Sequence, residues 1–252
     1  MTIDASVPNV ARMYDYYLGG YHNFAADREA AEKILAIFPD TPAAARTNRR
    51  FMQRAVRHLG REAGIRQFLD IGAGLPTQGN VHEHTRGRVA YVDNDPVAVA
   101  QARTLVDGDE RVAVALADLR DPEALLADPH VGGHLDLTEP IAILLVSMLH
   151  FLPDDADPWA LVARLRDATA PGSCLVVSHL TLDGVEQAPA HQGQQVYRTS
   201  NAPIVPRTRA DVLRFFDGYE LLDPGLSWIG KWRPEPGEDQ VSHGYGGVAV
   251  RR

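Results

Sequence analysis

The sequence predicts an α/β fold: a mostly parallel, seven-stranded sheet with helices on both faces, preceded by an N-terminal helical extension. From Gln67 onward, apolar runs of strand length alternate with segments of helical length, the pattern of a parallel sheet crossed by helices. Near the start of that alternation, QFLDIGAGLPT (67–77) is followed by RVAYVDNDP (88–96). An apolar run ends in Asp70, turns through Gly72 and Gly74, and a second run ends in the acidic Asp93. That is the outline of a nucleotide-binding βαβ half.

The elements follow in order. Residues 1–64 form the helical extension, with helices at 25–38 and 43–59 and breaks at Gly19-Gly20 and 39–42. Residues 65–252 form the main domain. Its strands are expected at 67–71, 88–93, 112–117, 141–147, 173–179, 219–222 and 247–250. Its helices are expected at 76–84, 96–106, 121–126, 158–168 and 209–216. Prolines open several of these helices, where the first turn has no use for an N–H. The stretch 183–207 has no clear period and reads as an ordered active-site loop or a mobile insertion. Residues 234–247 read as a hairpin or loop.

Composition sets bounds. A chain of 252 residues with 45% hydrophobic and 23% charged residues suits one α/β domain with additions. A net charge of -8 argues against non-specific nucleic-acid binding. The arginines at 46, 49, 50, 54, 57 and 61 suggest a helix with a basic face, read as solvated and paired to neighbouring acids. The lone cysteine, Cys174, sits in an apolar run and reads as a buried thiol. With no secretory signal or membrane-length apolar run, a cytoplasmic chain is expected, without a membrane partner. No metal site is expected: His82 and His84 cannot share a helix face, and no zinc motif supports them.

The turn also bears on the ligand. A dinucleotide fingerprint needs a third glycine where Thr77 stands. Asp70 before the turn would repel a pyrophosphate and attract an ammonium group. S-adenosylmethionine has an ammonium, a sulfonium and no phosphate. The Asp-x-Gly-x-Gly order therefore favours it over NAD. Asp93 can accept from ribose hydroxyls, with Asn94 beside it. Asp118 can accept from the adenine amino group, and Leu119 can pack on the ring. Ser147 falls at a strand end, where ligands of such sheets bind.

At these motifs the chain resembles the class I S-adenosylmethionine-dependent methyltransferases. The phrases ARMYDYYLGGYHNFAADRE, FLDIGAGLPT, YVDNDP, DLRDP, LHFLPDD, PGSCLVVSHL and KWRP are similar to those of an actinobacterial methyltransferase family once described as a domain of unknown function. The resemblance covers nearly the whole chain. It implies a Rossmann-like fold, S-adenosylmethionine as cofactor, a small-molecule acceptor of unidentified chemistry, and an N-terminal extension lying over the cleft as a lid. Tyr14, Tyr17, Gly19, Tyr21 and His22 are the candidates to close over the ligand or hold an acceptor. His150, after the fourth strand, is the candidate general base; a structural strand-to-loop junction is its other reading. Two rival functions stay open. One is a regulatory or partner-binding protein that binds the cofactor without transferase activity. The other is a NAD(P)-dependent oxidoreductase.

Overall fold

The computed structural model describes residues 4–75 and 79–252. Three helices come first: α1 (Val10–Tyr17), α2 (Ala25–Ile37) and α3 (Thr41–Arg61). The alternating part follows as β1 (Gln67–Ile71), α4 (Val81–His84), β2 (Arg88–Asp93), α5 (Pro96–Leu105), β3 (Val112–Leu116), α6 (Pro122–Ala127), β4 (Ala142–Val146), α7 (Pro158–Asp167) and β5 (Cys174–Leu180). It closes with α8 (Gln187–Tyr197), α9 (Arg209–Leu213), β6 (Tyr219–Leu221), β7 (Ser227–Trp228) and β8 (Gly244–Arg251).

The sheet runs β3-β2-β1-β4-β5-β8-β6, and the two-residue β7 pairs with β8 off that path. β1 to β5 are parallel; β8 is antiparallel to β5, β6 and β7. The order reverses between β1 and β4. A crevice for ligands therefore opens beyond their carboxyl ends, where Asp70 and Ser147 stand.

Strands buried on both faces read as continuous apolar runs, and β1 and β4 are of that kind (QFLDI, AILLV). One face packs against Leu125, Leu161, Leu165 and Phe215 from the segments around α6, α7 and α9. The other packs against α3 through Phe51, Met52, Ala55, Val56 and Leu59, joined by Trp232. A third, smaller core holds α1 and α2 together through Met13, Tyr17, Ala30, Ala31 and Ile34, with Tyr197 of α8 against it. So α3 belongs to the sheet's own layer, and α1, α2 and α8 form a cap.

Asp27 knots that cap. It is fully buried and accepts from Asn9 N (2.8 Å), Phe24 N (2.7 Å) and Arg12 Nε (2.7 Å). Asn9 caps α1 and reaches across to Asp95 Oδ2 (2.9 Å), which ties the cap to the start of α5.

Some expectations are corrected here. The stretch 183–207 contains the helix α8, which the sequence hid: Pro189, Gly193 and several glutamines blur its period. Gly193 is there for close packing, since a Cβ would meet Phe38 Cε2 at 2.9 Å. The helix expected over 76–84 is described only as Val81–His84; residues 76–78 lie outside the described residues, so the first part of that expectation does too. The basic face of α3 is only partly solvated. Arg46 and Arg61 are exposed, and Arg57 pairs with Glu235 (2.5 Å). Arg54 instead is buried, donating to Trp232 O (3.0 Å) and Ile229 O (3.3 Å) and pairing with Glu238. Among the described residues no helix is long and apolar enough to cross a membrane.

Candidate functional site

A cavity of about 800 Å³ opens at the carboxyl ends of the parallel strands, under the cap. It is roomy for one small ligand, since such sites span about 300–1,000 Å³. Asp70, Gly72, Gly74, Asp93, Asn94, Asp118, Leu119, Ser147 and His150 all line it, as do Tyr14 and Tyr17. These residues come from four strand ends and from α1, so the fold gathers positions that lie far apart in sequence.

The remaining lid candidates are not gathered there. Tyr21 and His22 line a separate space of about 160 Å³ between the cap and α5, and Tyr21 is 92% exposed. Gly19 lines neither space and serves the turn after α1, with φ +80°. That turn is organised by Asp15, which accepts from His22 N (2.8 Å) and Asn23 Nδ2 (2.9 Å).

The glycine turn is shaped by contacts on both sides. Gly72 has φ +74°, and a Cβ there would come within 2.8 Å of Met148 Cβ. Its N–H donates to Val92 O (2.8 Å). Gly74, at φ +62°, donates to Asp93 Oδ2 (2.7 Å), and Asp95 N donates to Asp93 Oδ1 (2.8 Å). With Gly74, Asp95 and Asn94 as backbone donors, the Asp93 carboxylate still keeps lone-pair capacity for a further one. Burial raises its pKa despite those donors.

Asp70 is buried, and its pKa is pushed up to about 7, chiefly by desolvation; Arg49 opposes the rise and Asp93 adds to it. Arg49 also lines the cavity, stacked 5.7 Å over the Tyr14 ring. Its Nε is buried with no hydrogen-bond partner among the described residues. Its position within the arginine-rich helix concealed this role; only the register of α3 against the sheet separates Arg49 from its neighbours.

Asp118 is held by Arg120 (Nε 3.0 Å) and by Asn94 Nδ2 (3.2 Å). The Arg120 bond is the main reason its pKa falls to about 2. Leu119 is buried beside it.

Ser147 has φ +54°, a conformation that costs a non-glycine residue about 1–2 kcal/mol and often marks a functional site. It is held there by a chain of polar groups that sequence reading did not find. Ser147 N donates to Ser178 O and to Ser178 Oγ, both at 3.0 Å. Ser178 Oγ donates to Asn48 Oδ1 (2.7 Å), and Asn48 Nδ2 donates to Tyr14 OH (3.0 Å). The chain runs from β4 through β5 and α3 to the cap.

His150 sits where β4 gives way to a short 3₁₀ turn. Its Nδ1 accepts from Leu180 N at 3.4 Å. Desolvation, with His179 and Arg207 nearby, lowers its pKa well below the ordinary value. The ring is therefore neutral, and with Nδ1 accepting its proton rests on Nε2. On the cap side of the cavity, Tyr17 OH and Tyr197 OH lie 3.4 Å apart, and burial keeps both hydroxyls protonated. Of the paired histidines, His82 is taken up by Tyr91 OH at 2.8 Å.

A family model described as S-adenosyl methyltransferase matches residues 1–252. The chain is similar to a DUF574-family protein from Streptomyces avermitilis, with 37% identity over all of both chains and a TM-score of 0.95. It is similar to a protein from Thermobifida fusca, with 38% identity over 99% of this chain and 97% of that one and a TM-score of 0.91. A Burkholderia thailandensis 1,6-didemethyltoxoflavin-N1-methyltransferase, solved with its substrate and S-adenosylhomocysteine, shares the fold alone, at 18% identity, 92% coverage of each chain and a TM-score of 0.52. No curated protein matches the chain.

Proposed function

Because the chain belongs to the S-adenosyl methyltransferase family, we propose that its large cavity holds S-adenosylmethionine at the glycine turn and a small-molecule acceptor beyond Ser147. The protein is an S-adenosylmethionine-dependent methyltransferase with a Rossmann-like fold.

One observation carries the placement. Asp70 and Arg49, of opposite charge, line the same end of the cavity, and Arg49 Nε has no partner among the described residues. Such a split pair suits the two ends of an amino-acid zwitterion: Asp70 for the ammonium, Arg49 for the carboxylate. The rest of the donor set fits as well. Asp93 keeps acceptor capacity for ribose hydroxyls, Asp118 and Asn94 stand where an adenine amino group can be met, and Leu119 offers an apolar face. Gly72 and Gly74 leave the space a Cβ would fill. When bound, the cofactor supplies an electrophilic methyl group on a sulfonium.

The chain's own work is positioning and exclusion of water. α1 and α2 supply most of the cap and α8 adds to it, whereas α3, though inside the expected lid 1–64, packs on the sheet. Tyr14 and Tyr17 line the cavity from the cap side, while Tyr21 and His22 line the separate space beside α5. Ser147, strained and tied to the cap through Ser178, Asn48 and Tyr14, marks the boundary between cofactor and acceptor ends. His150, the candidate general base, has its Nδ1 engaged by Leu180 N and instead serves the acceptor end as a neutral hydrogen-bond donor through Nε2. A cytoplasmic setting fits a chain whose single thiol, Cys174, is buried and has its pKa raised to about 12 by burial.

Calorimetry with S-adenosylmethionine, S-adenosylhomocysteine and NAD tests the placement. Asp93→Ala should weaken S-adenosylhomocysteine binding by about 1.5–3 kcal/mol, as for a hydrogen bond to a charged group. Wild-type affinity in the variant, or tighter binding of NAD, would remove the assignment. The regulatory alternative is separated by a labelled-methyl assay across a cell extract. Cofactor binding without any labelled product would favour it.

Asp70 adds a pH dependence. Its pKa of about 7 in the folded chain lies above the ordinary aspartate value of 3.8. Between those values the native state holds a proton that the unfolded chain has lost. Its contribution to stability is therefore present at low pH, declines as pH rises from about 4 to 7, and is absent above. An ammonium group beside Asp70 favours the ionised form. S-adenosylhomocysteine binding should then tighten as pH rises toward 7 and release a proton below it. Calorimetry at pH 6 in buffers of different ionisation enthalpy would show the release. Its persistence in Asp70→Asn would assign it elsewhere.

A further inference from the structure

We propose that His243, held by Asp40, is the proton acceptor for methyl transfer to a phenolic or enolic hydroxyl. This rests on the reading of the cavity as a methyl-transfer site and adds the acceptor's chemistry to it.

His243 lines the large cavity, outside every motif the sequence offered. It stands just before β8, where Thr181 N donates to its carbonyl (3.0 Å) and the next residue, Gly244, pairs with Leu180. Leu180 is also the residue whose N–H reaches His150. The two imidazoles thus flank the carboxyl end of β5. His243 Nε2 lies 3.0 Å from Asp40 Oδ1. A carboxylate can only accept, so that nitrogen carries a proton, and in the ring's neutral form the lone pair is on Nδ1. This is a base oriented by a carboxylate, which also stabilises the imidazolium once formed. His150 has the opposite polarity, with its lone pair engaged and its proton on Nε2. One ring can donate to an acceptor molecule and the other can accept from it.

The lining narrows the class of acceptor. Arg49 and Arg120 are the cationic residues among the described ones that line the cavity, and both stand at the cofactor end, beside Asp70 and Asp118. Nothing cationic is left to hold a phosphate or carboxylate at the other end. Tyr14, Tyr17, Tyr197 and Phe151 provide aromatic walls for a flat, uncharged molecule. An imidazole base matches a phenol or enol better than an aliphatic alcohol, whose proton is held far more tightly. In the step, the hydroxyl proton passes to His243 Nδ1. The oxygen forms the bond to the methyl carbon, and the electron pair of the broken carbon–sulfur bond stays on sulfur. Methyl ether, neutral thioether and imidazolium are left.

The test uses the full chain with 2-naphthol as probe and 2-naphthoate and quinoline as size-matched controls. 2-Naphthol should bind the S-adenosylhomocysteine-loaded protein, shift the His243 ring resonances and receive label from methyl-labelled S-adenosylmethionine; the controls should not receive it. His243→Gln should lower the rate about 10²–10⁴-fold with S-adenosylhomocysteine affinity unchanged, and Asp40→Asn should lower it less. His243 is 28% exposed and Asp40 52%, and unchanged S-adenosylhomocysteine affinity in each variant certifies its fold. Label on quinoline or naphthoate instead, no uptake of 2-naphthol, or an unaltered rate in both variants would overturn the proposal and leave the cofactor reading intact. Failure of the wild-type chain to bind S-adenosylhomocysteine would sink the cofactor reading itself.

Discussion

Arg207→Leu should destabilise the protein by about 2–5 kcal/mol, the range for leaving two buried acceptors without a donor at about 1–3 kcal/mol each. Arg207 is 4% exposed. Its guanidinium donates to Leu149 O (3.0 Å), Leu152 O (2.8 Å) and His179 Nε2 (3.0 Å), and it pairs with Asp154 Oδ1 (2.6 Å). Trp159 and Phe215 cover it, 5.0 and 5.7 Å from their ring centres. The Asp154 side chain is 66% exposed and can return to water. Leu149 O keeps a donor in Leu152 N (3.2 Å), so the cost comes from the Leu152 carbonyl and the imidazole nitrogen left buried without one, at about 1–3 kcal/mol each before relaxation.

The same contacts fix where the loss is felt. Leu149 and Leu152 bracket the turn that carries His150, and Val205 N donates to His150 O at 2.7 Å. His179 donates from Nδ1 to Leu180 O (2.7 Å), so its neutral tautomer, with a pKa lowered to about 4 mainly by burial, is matched to an arginine on Nε2. Denaturant melts should show the lost stability, and exchange of the 149–154 amides should rise most. A variant within 1 kcal/mol of wild type would mean that water replaces the guanidinium without cost.

Arg207 was invisible in the sequence, and the reason is general to this chain. β1 and β2 were legible to the residue because their apolar runs are bounded by Asp70 and Asp93. The strand-end acids were legible for the same reason: topology alone brings such ends to one crevice. The sequence pattern marks β8 only over 247–250, because Gly244 and Gly246 lack side chains to carry a period. The structure needs them small, for a Cβ at Gly246 would come within 3.1 Å of Phe51 and one at Gly244 within 2.4 Å of His179 O. α8 was missed because its stability comes from packing on the cap more than from propensity. Arg49, Asn48, Ser178 and the Asp40–His243 pair depend on register between elements far apart in sequence. No local pattern encodes such a meeting.

The glycine turn gives the second large effect. Gly72→Val should destabilise the fold by about 2–4 kcal/mol and abolish measurable S-adenosylhomocysteine binding in the folded fraction. Two costs combine. At φ +74° any side chain meets the left-handed penalty of about 1–2 kcal/mol, and β-branching makes it worse. A Cβ would also stand 2.8 Å from Met148 Cβ and 3.2 Å from its Cγ, so Met148 must move, an overpacking cost of about 1–3 kcal/mol. Met148 adjoins Ser147, whose own φ is positive, so the displacement is passed to the floor of the cavity. Gly108→Val is the control. It shares a positive φ, +84°, but has nothing within 4 Å of the added Cβ. The backbone penalty should appear in both variants, and the steric cost and the binding loss only at Gly72. Equal destabilisation at the two positions, with binding retained at Gly72, would show that Met148 yields freely and that the turn holds its ligand without needing that space.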